Sequence, residues 1–134
     1  MPPPPRFADP DTIRAVLALR TWAVVGCSPD PRRPSYDVAA FLEGQGKRVI
    51  PVHPAREYAA LADIPSEEGV EVVDIFRRAD QAGRHMDEAI EIGAKAVWTQ
   101  LGVIDTAAAA RAEAAGLLVV MDRCPKIEYP RHCR

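Results

Sequence analysis

The chain predicts an α/β domain, an open parallel five-stranded sheet with helices on both faces. Three observations carry that reading. Five short apolar runs alternate with segments of helical period, and strands that are apolar throughout belong to sheets covered on both sides. The first run, Trp22 to Val25, passes straight into the small turn Gly26-Cys27-Ser28, then a Pro- and Arg-rich loop and a helix start. That order is how open α/β sheets build an anion pocket. Finally, 134 residues, 48% of them apolar, give room for one core and one domain.

Each element follows from local chemistry. Pro2 to Pro5 suits neither helix nor ladder, so residues 1–8 read as a flexible lead and 9–134 as the domain. Asp9-Pro10-Asp11 supplies an N-cap, a first-turn Pro and an acid, and Ile13, Val16 and Leu17 share one face of a helix to about Leu19. The first strand runs from Trp22 to Gly26. Ser35 can cap a helix with Val38, Phe41 and Leu42 inward, ending near Gly44 or Gly46. Arg48 to Val52 is the second strand, and its Pro51, lacking a ladder donor, belongs at a strand end or a sheet edge. Residues 53–69 read as loop with a helical turn.

Val70 to Phe76 is the third strand and Ala79 to Ile92 a helix closed by Gly93. Ala96 to Thr99 is the fourth strand. Asp105 caps an alanine-rich helix to Ala115, and Leu117 to Met121 is the fifth strand, followed by a mixed tail. Right-handed crossovers then predict the order 3-2-1-4-5, with the switch point beside the first strand.

Composition excludes several classes. A net charge of −2 with both signs interspersed carries no broad nucleic-acid or membrane footprint. The apolar runs are too short to span a bilayer, and the proline-rich start is no signal peptide, which makes a cytoplasmic protein the expectation. Cys27, Cys124 and Cys133 have no framework spacing and read as free thiols. His53, His85 and His132 lack metal-ligand spacing.

The predicted carboxyl edge of the sheet collects the residues able to hold a ligand. Gly26 permits close backbone approach and Ser28 can donate a hydroxyl; without a ligand, Gly26-Cys27-Ser28 is simply a tight strand-to-helix turn. Arg33, with Arg32, can clamp phosphate or remain solvated. The turn is not G-x-G-x-x-G, since Ser28 and Pro31 replace the later glycines, and after the second strand the chain reads Val52-His53-Pro54-Ala55-Arg56 without the acid that holds a ribose in NAD folds. NADP or another phosphorylated nucleotide stays open. Phe76, Arg77 and Arg78 follow the third strand, either at a phosphate or as surface charge. Gln100 and Gly102 follow the fourth, polar and small where a ligand chain would pass. No catalytic motif is present.

The runs Gly26-Cys27-Ser28-Pro29, Arg33-Pro34-Ser35-Tyr36, Val49-Ile50-Pro51-Val52, Asp74-Ile75-Phe76-Arg77-Arg78, Gly93-Ala94-Lys95, Trp98-Thr99-Gln100-Leu101-Gly102 and Val119-Val120-Met121-Asp122-Arg123-Cys124 closely resemble the small stand-alone CoA-binding domain proteins. These are Rossmann-like and similar to the CoA-binding domain of the succinate–CoA ligase α subunit. The resemblance implies coenzyme A or an acyl-CoA as ligand. It places Gly26, Cys27 and Ser28 at the CoA diphosphate and Arg56 after the second strand as a phosphate partner, with Arg33, Ser35, Val52, His53 and Pro54 counted among the ligand residues. Phe76 and Arg77 fall beside the adenosine, and Thr99, Gln100 and Leu101 along the pantetheine arm. His53 departs from the family's usual Asn.

In the ligases the phosphorylated histidine lies on a second domain, so the resemblance implies a binding module, or a regulator of an acyl-CoA enzyme with an unidentified protein partner, rather than a ligase. A thiol-redox protein joined to CoA through Cys27 or Cys124 is the other alternative.

Overall fold

Strand β1 (Thr21–Val25) forms the centre of the fold, and all five of its residues are buried. In the computed structural model, which describes residues 7–133, it pairs in parallel with β2 (Arg48–Val52) on one side and β3 (Val72–Ile75) on the other. Strands β4 (Ala96–Thr99) and β5 (Leu118–Val120) extend the sheet beyond β3. The order is therefore 2-1-3-4-5, not the predicted 3-2-1-4-5, although the open parallel α/β Rossmann-like sheet is as expected.

The physical reason for the difference is legible in β2. Pro51 sits opposite Val24 and has no N–H for a second neighbour, so β2 belongs at the edge. Its alternating exposure agrees, whereas every residue of β3 is buried. The chain crosses β1 between β2 and β3 with two single turns of 3-10 helix, Leu61–Asp63 and Ser66–Glu68. The switch point lies between β1 and β3, where successive connections leave in opposite directions.

Helices α1 (Pro10–Leu17) and α2 (Pro34–Gly44) cover one face together with α5 (Pro125–His132). Ile13, Val16, Leu17, Val38 and Leu42 bury themselves there against Trp22, Val24 and Trp98. Helices α3 (Ala79–Glu91) and α4 (Thr106–Ala114) cover the other face, setting Met86, Ala89, Ala108 and Ala112 on Val25, Val73, Ile75 and Val97. The two-residue period of each strand divides the core in this way. Burying three aromatic side chains, Phe7, Trp22 and Trp98, and more than two dozen aliphatic ones on opposite faces of one sheet is the main stabilising term.

Asp9 caps α1 by accepting from Thr12 N–H at 3.1 Å, and Asp105 caps α4 through Ala108 N–H at 3.0 Å, both as read from the sequence. The mixed tail is instead helix α5, begun by Pro125 at its first position. It is docked by Tyr129 edge-on to Phe41 (centroids 5.8 Å apart) and by buried Glu128, which pairs with His132 at 3.3 Å. The flexible lead lies largely outside the described residues. Its last two members do not fit that reading: Phe7 and Ala8 are buried, and the Phe7 carbonyl accepts from Met121 N–H at 2.8 Å.

Candidate functional site

A cleft of about 1120 Å³ opens at the carboxyl edge of the sheet, over the junction of β1 and β3. Its floor begins at Gly26, in the left-handed region at φ +77, where an added Cβ would stand 2.4 Å from the Phe76 carbonyl oxygen. Glycine is required by that approach of two backbones, the β1 turn against the end of β3, and not only by an approach of ligand.

The turn is tied inward. Gly26 and Cys27 N–H both donate to the Val52 carbonyl (2.9 and 3.1 Å), and Ser28 N–H donates to Ser35 Oγ at 3.1 Å. Amides expected to face a phosphate are thus engaged within the protein. Ser35 does not cap α2, whose N-cap is Arg33; its buried hydroxyl holds the loop to the helix instead. Ser28 Oγ accepts from Asp30 N–H at 3.1 Å and keeps its hydroxyl hydrogen to donate.

Of the residues read from the sequence, Gly26, Ser28, Arg33 and Ser35 line the cleft at its β1 end. Val52, His53 and Pro54 line it beyond β2, Phe76 and Arg77 beyond β3, and Gln100 and Leu101 beyond β4. His53 Nδ1 accepts from Ala55 N–H at 3.0 Å, the side-chain-to-backbone turn bond that an asparagine also makes.

Four residues lie elsewhere. Cys27 is fully buried on the Trp22 face, and burial pushes its thiol pKa up, opposed by the Arg56 charge. Arg56 braces the loop from behind, donating from Nε to the Cys27 carbonyl (3.3 Å) and from Nη2 to that of Ser28 (3.2 Å). The cleft excludes it, so its expected phosphate contact gives way to this brace. Thr99 turns its hydroxyl to the Val103 carbonyl at 2.7 Å. Gly102 donates to Asp122 Oδ1 at 2.7 Å, and Asp122 itself takes a left-handed φ of 60. Both positions shape the β4 and β5 loops from outside the cleft wall.

Cations outnumber anions around the cleft, where Glu88 is the one lining carboxylate among the described residues. Arg33, Arg77 and Arg84 line it, and among the described residues none of their guanidinium groups has a hydrogen-bonded or ion-pair partner. In a chain of net charge −2, three unpaired guanidinium groups on one concave surface attract an anion. Arg84 and His85, on α3, were not singled out as ligand residues from the sequence. His85 pairs Nδ1 with Glu88 Oε1 at 2.6 Å, its Nε2 is buried without a partner, and burial holds its pKa below the usual imidazole range.

Sequence reasoning also passed over Asp74, fully buried in β3 and bonded to Gln100. The available signal was an acid inside the apolar run Val72-Val73-Asp74-Ile75. Among the described residues no group of three or more His, Cys, Asp or Glu side chains could hold a metal, and no helix is long and apolar enough to cross a membrane.

Residues 20–130 match the CoA binding domain family. The chain belongs to that family. An uncharacterized protein of Bacillus subtilis, YneT, is 31% identical over 112 residues, covering 80% of this chain and 83% of that one. A hypothetical protein from Pyrococcus horikoshii superposes with a TM-score of 0.89 at 32% identity, over 100% of this chain and 99% of its own. A Thermus thermophilus protein follows at TM-score 0.82 and 33% identity, over 92% and 98%.

Proposed function

We propose that the chain binds coenzyme A or an acyl-CoA in this cleft and acts as a binding module, or as a regulator of an acyl-CoA enzyme, without ligase chemistry of its own. The observation that carries the reading is the set of unpaired arginines, Arg33, Arg77 and Arg84, around the β1–β3 switch point in a CoA-binding family member. Arg33 and the Ser28 hydroxyl receive the diphosphate, Phe76 and Arg77 lie beside the adenosine, and Gln100 and Leu101 flank the pantetheine arm. The absence of an acid after β2 counts against NAD. The free thiols suit a reducing cytoplasm.

Isothermal titration calorimetry on nucleotide-stripped protein with CoA, acetyl-CoA, ADP, NAD and NADP tests this. Saturable 1:1 binding of CoA but not of NAD or NADP is expected. Tighter binding of NADP than CoA would move the chain to the nucleotide reading.

A second reading, a mixed disulfide with CoA, is favoured at one position. Cys124 lines the cleft, whereas Cys27 is buried outside it. The Cys124 thiolate would attack CoA disulfide, forming one S–S bond, breaking another and releasing one CoA thiolate. Intact mass after incubation with CoA disulfide shows the adduct in wild type and loses it in Cys124→Ser; an unmodified wild type ends this reading.

A further inference from the structure

At the β4 end of the cleft, a buried carboxyl stands behind a polar side chain that β4 offers to a ligand. Asp74 lies between Val24 and Trp98 in the sheet register and is fully buried. Its Oδ1 accepts from Gln100 Nε2 at 2.7 Å, and its Oδ2 is buried with no partner. Gln100 lines the cleft while the adjoining Thr99 hydroxyl is turned away to Val103. One N–H of Gln100 is therefore fixed by Asp74. Its second N–H and its Oε1 have no partner among the described residues.

Packing does not explain Asp74. The face of β3 on which it sits is otherwise apolar, with Val72, Trp22, Val24 and Trp98 around it. Desolvation raises its pKa to about 8, so the carboxyl is mostly neutral at pH 7, yet one oxygen still lacks a partner. A leucine would fill that space without an orphaned polar atom.

We propose that Asp74 is a positioning residue: it fixes the Gln100 amide so that Oε1 and the free N–H meet the amide-bearing arm of a CoA ligand, separating CoA from nucleotides that lack the arm. The inference rests on the CoA reading above. A secondary amide needs one acceptor and one donor, and a held primary amide supplies both. The arginines at the other end recognise phosphate whether or not an arm is attached. Selectivity for the arm thus falls to Gln100, and the pose of Gln100 to Asp74.

Calorimetry with CoA and with ADP, on wild type, Asp74→Leu, Asp74→Asn, Gln100→Ala and the Asp74→Leu/Gln100→Ala double variant, tests the assignment. Asp74→Leu and Gln100→Ala each weaken CoA about five- to tenfold, the worth of a neutral hydrogen bond, and leave ADP unchanged. Asp74→Asn keeps wild-type CoA affinity, because its side-chain carbonyl still accepts from Gln100. The double variant is no weaker than either single one, as for residues acting through one contact. If circular dichroism shows Asp74→Leu to be misfolded, Asp74→Ala replaces it.

Equal losses for CoA and ADP, additive losses in the double variant, or an Asn variant as weak as the Leu one would each overturn the positioning role. A wild type that does not bind CoA at all overturns the CoA reading itself, whereas CoA binding without the selective loss overturns only the role of Asp74.

Discussion

The two ends of the cleft are built differently. At the β1 end, the loop is held partly by residues close in sequence, Ser28 to Ser35 and Asp30 to the Arg32 backbone N–H and guanidinium, and partly by Val52 and Arg56 behind it. The backbone donors are engaged and the free groups are cations, Arg33 and, across the turn, Arg77. At the β4 end, partners come from distant segments: Asp74 with Gln100, Gly102 with Asp122, and Trp98 Nε1 with the Arg123 carbonyl at 2.8 Å. There Gln100, held by the buried Asp74, presents an uncharged amide. The cleft is graded from cationic to neutral, which suits a ligand with phosphates at one end and an uncharged amide arm at the other. The charged end joins the Ser28–Arg33 loop to Arg77 after β3, and sheet register makes the neutral one.

The comparison breaks most severely at Gly26. A Gly26→Ala variant places Cβ against the Phe76 carbonyl in a left-handed backbone, combining overpacking and strain for a loss of about 3–5 kcal/mol. A urea midpoint far below wild type, with loss of CoA binding, is the expected result; a wild-type midpoint would show that β1 and β3 tolerate separation.

The neutral end responds in the opposite direction. The folded pKa of Asp74, about 8, lies above the 3.8 of a solvated aspartate because burial strips it of water. The unfolded chain therefore loses this proton first, and the contribution of Asp74 to stability, complete below pH 4, declines as pH rises towards 8. Asp74→Asn is expected to stabilise the protein by about 2–4 kcal/mol at pH 7 and by little at pH 4. Thermal melts across that range check the sign, and a shift independent of pH would place the carboxyl in a solvated site.

Binding sharpens the contrast next. Arg77→Ala removes a charge with no competing protein partner and should weaken CoA and ADP alike by about tenfold or more. A loss confined to CoA would take Arg77 away from the ADP moiety that the two ligands share. The smallest effect belongs to Arg56→Ala, which releases two loop carbonyls behind the cleft. Its expected cost is about 1 kcal/mol of stability with only a modest fall in affinity by calorimetry; a loss as large as that of Arg77→Ala would restore Arg56 to the phosphate.

Periodicity and end signals made most of the fold legible. β2 and β4 have the bounds read from the sequence, and Asp9 and Asp105 cap α1 and α4 as their spacing required. These are local decisions, taken within one or two turns of chain. Helix α5 was missed because Pro130 lies inside it and its apolar period is weak; Glu128 with His132, and Tyr129 on Phe41, supply what propensity does not. The strand order was missed because right-handed crossovers allow several orders, and the choice depends on which strand each one buries against. Pro51 already argued for an edge position.

The sequence by itself determined the layered parallel sheet, the Gly26 turn, and most of the residues that meet in the cleft, because each rests on side-chain period or backbone freedom within a short segment. Only the tertiary structure decided that Arg56 and Cys27 stand behind the loop, that Arg84 joins Arg33 and Arg77, and that Asp74 holds Gln100. Those outcomes depend on strand register and on which groups long-range packing strips of water. No local pattern encodes them.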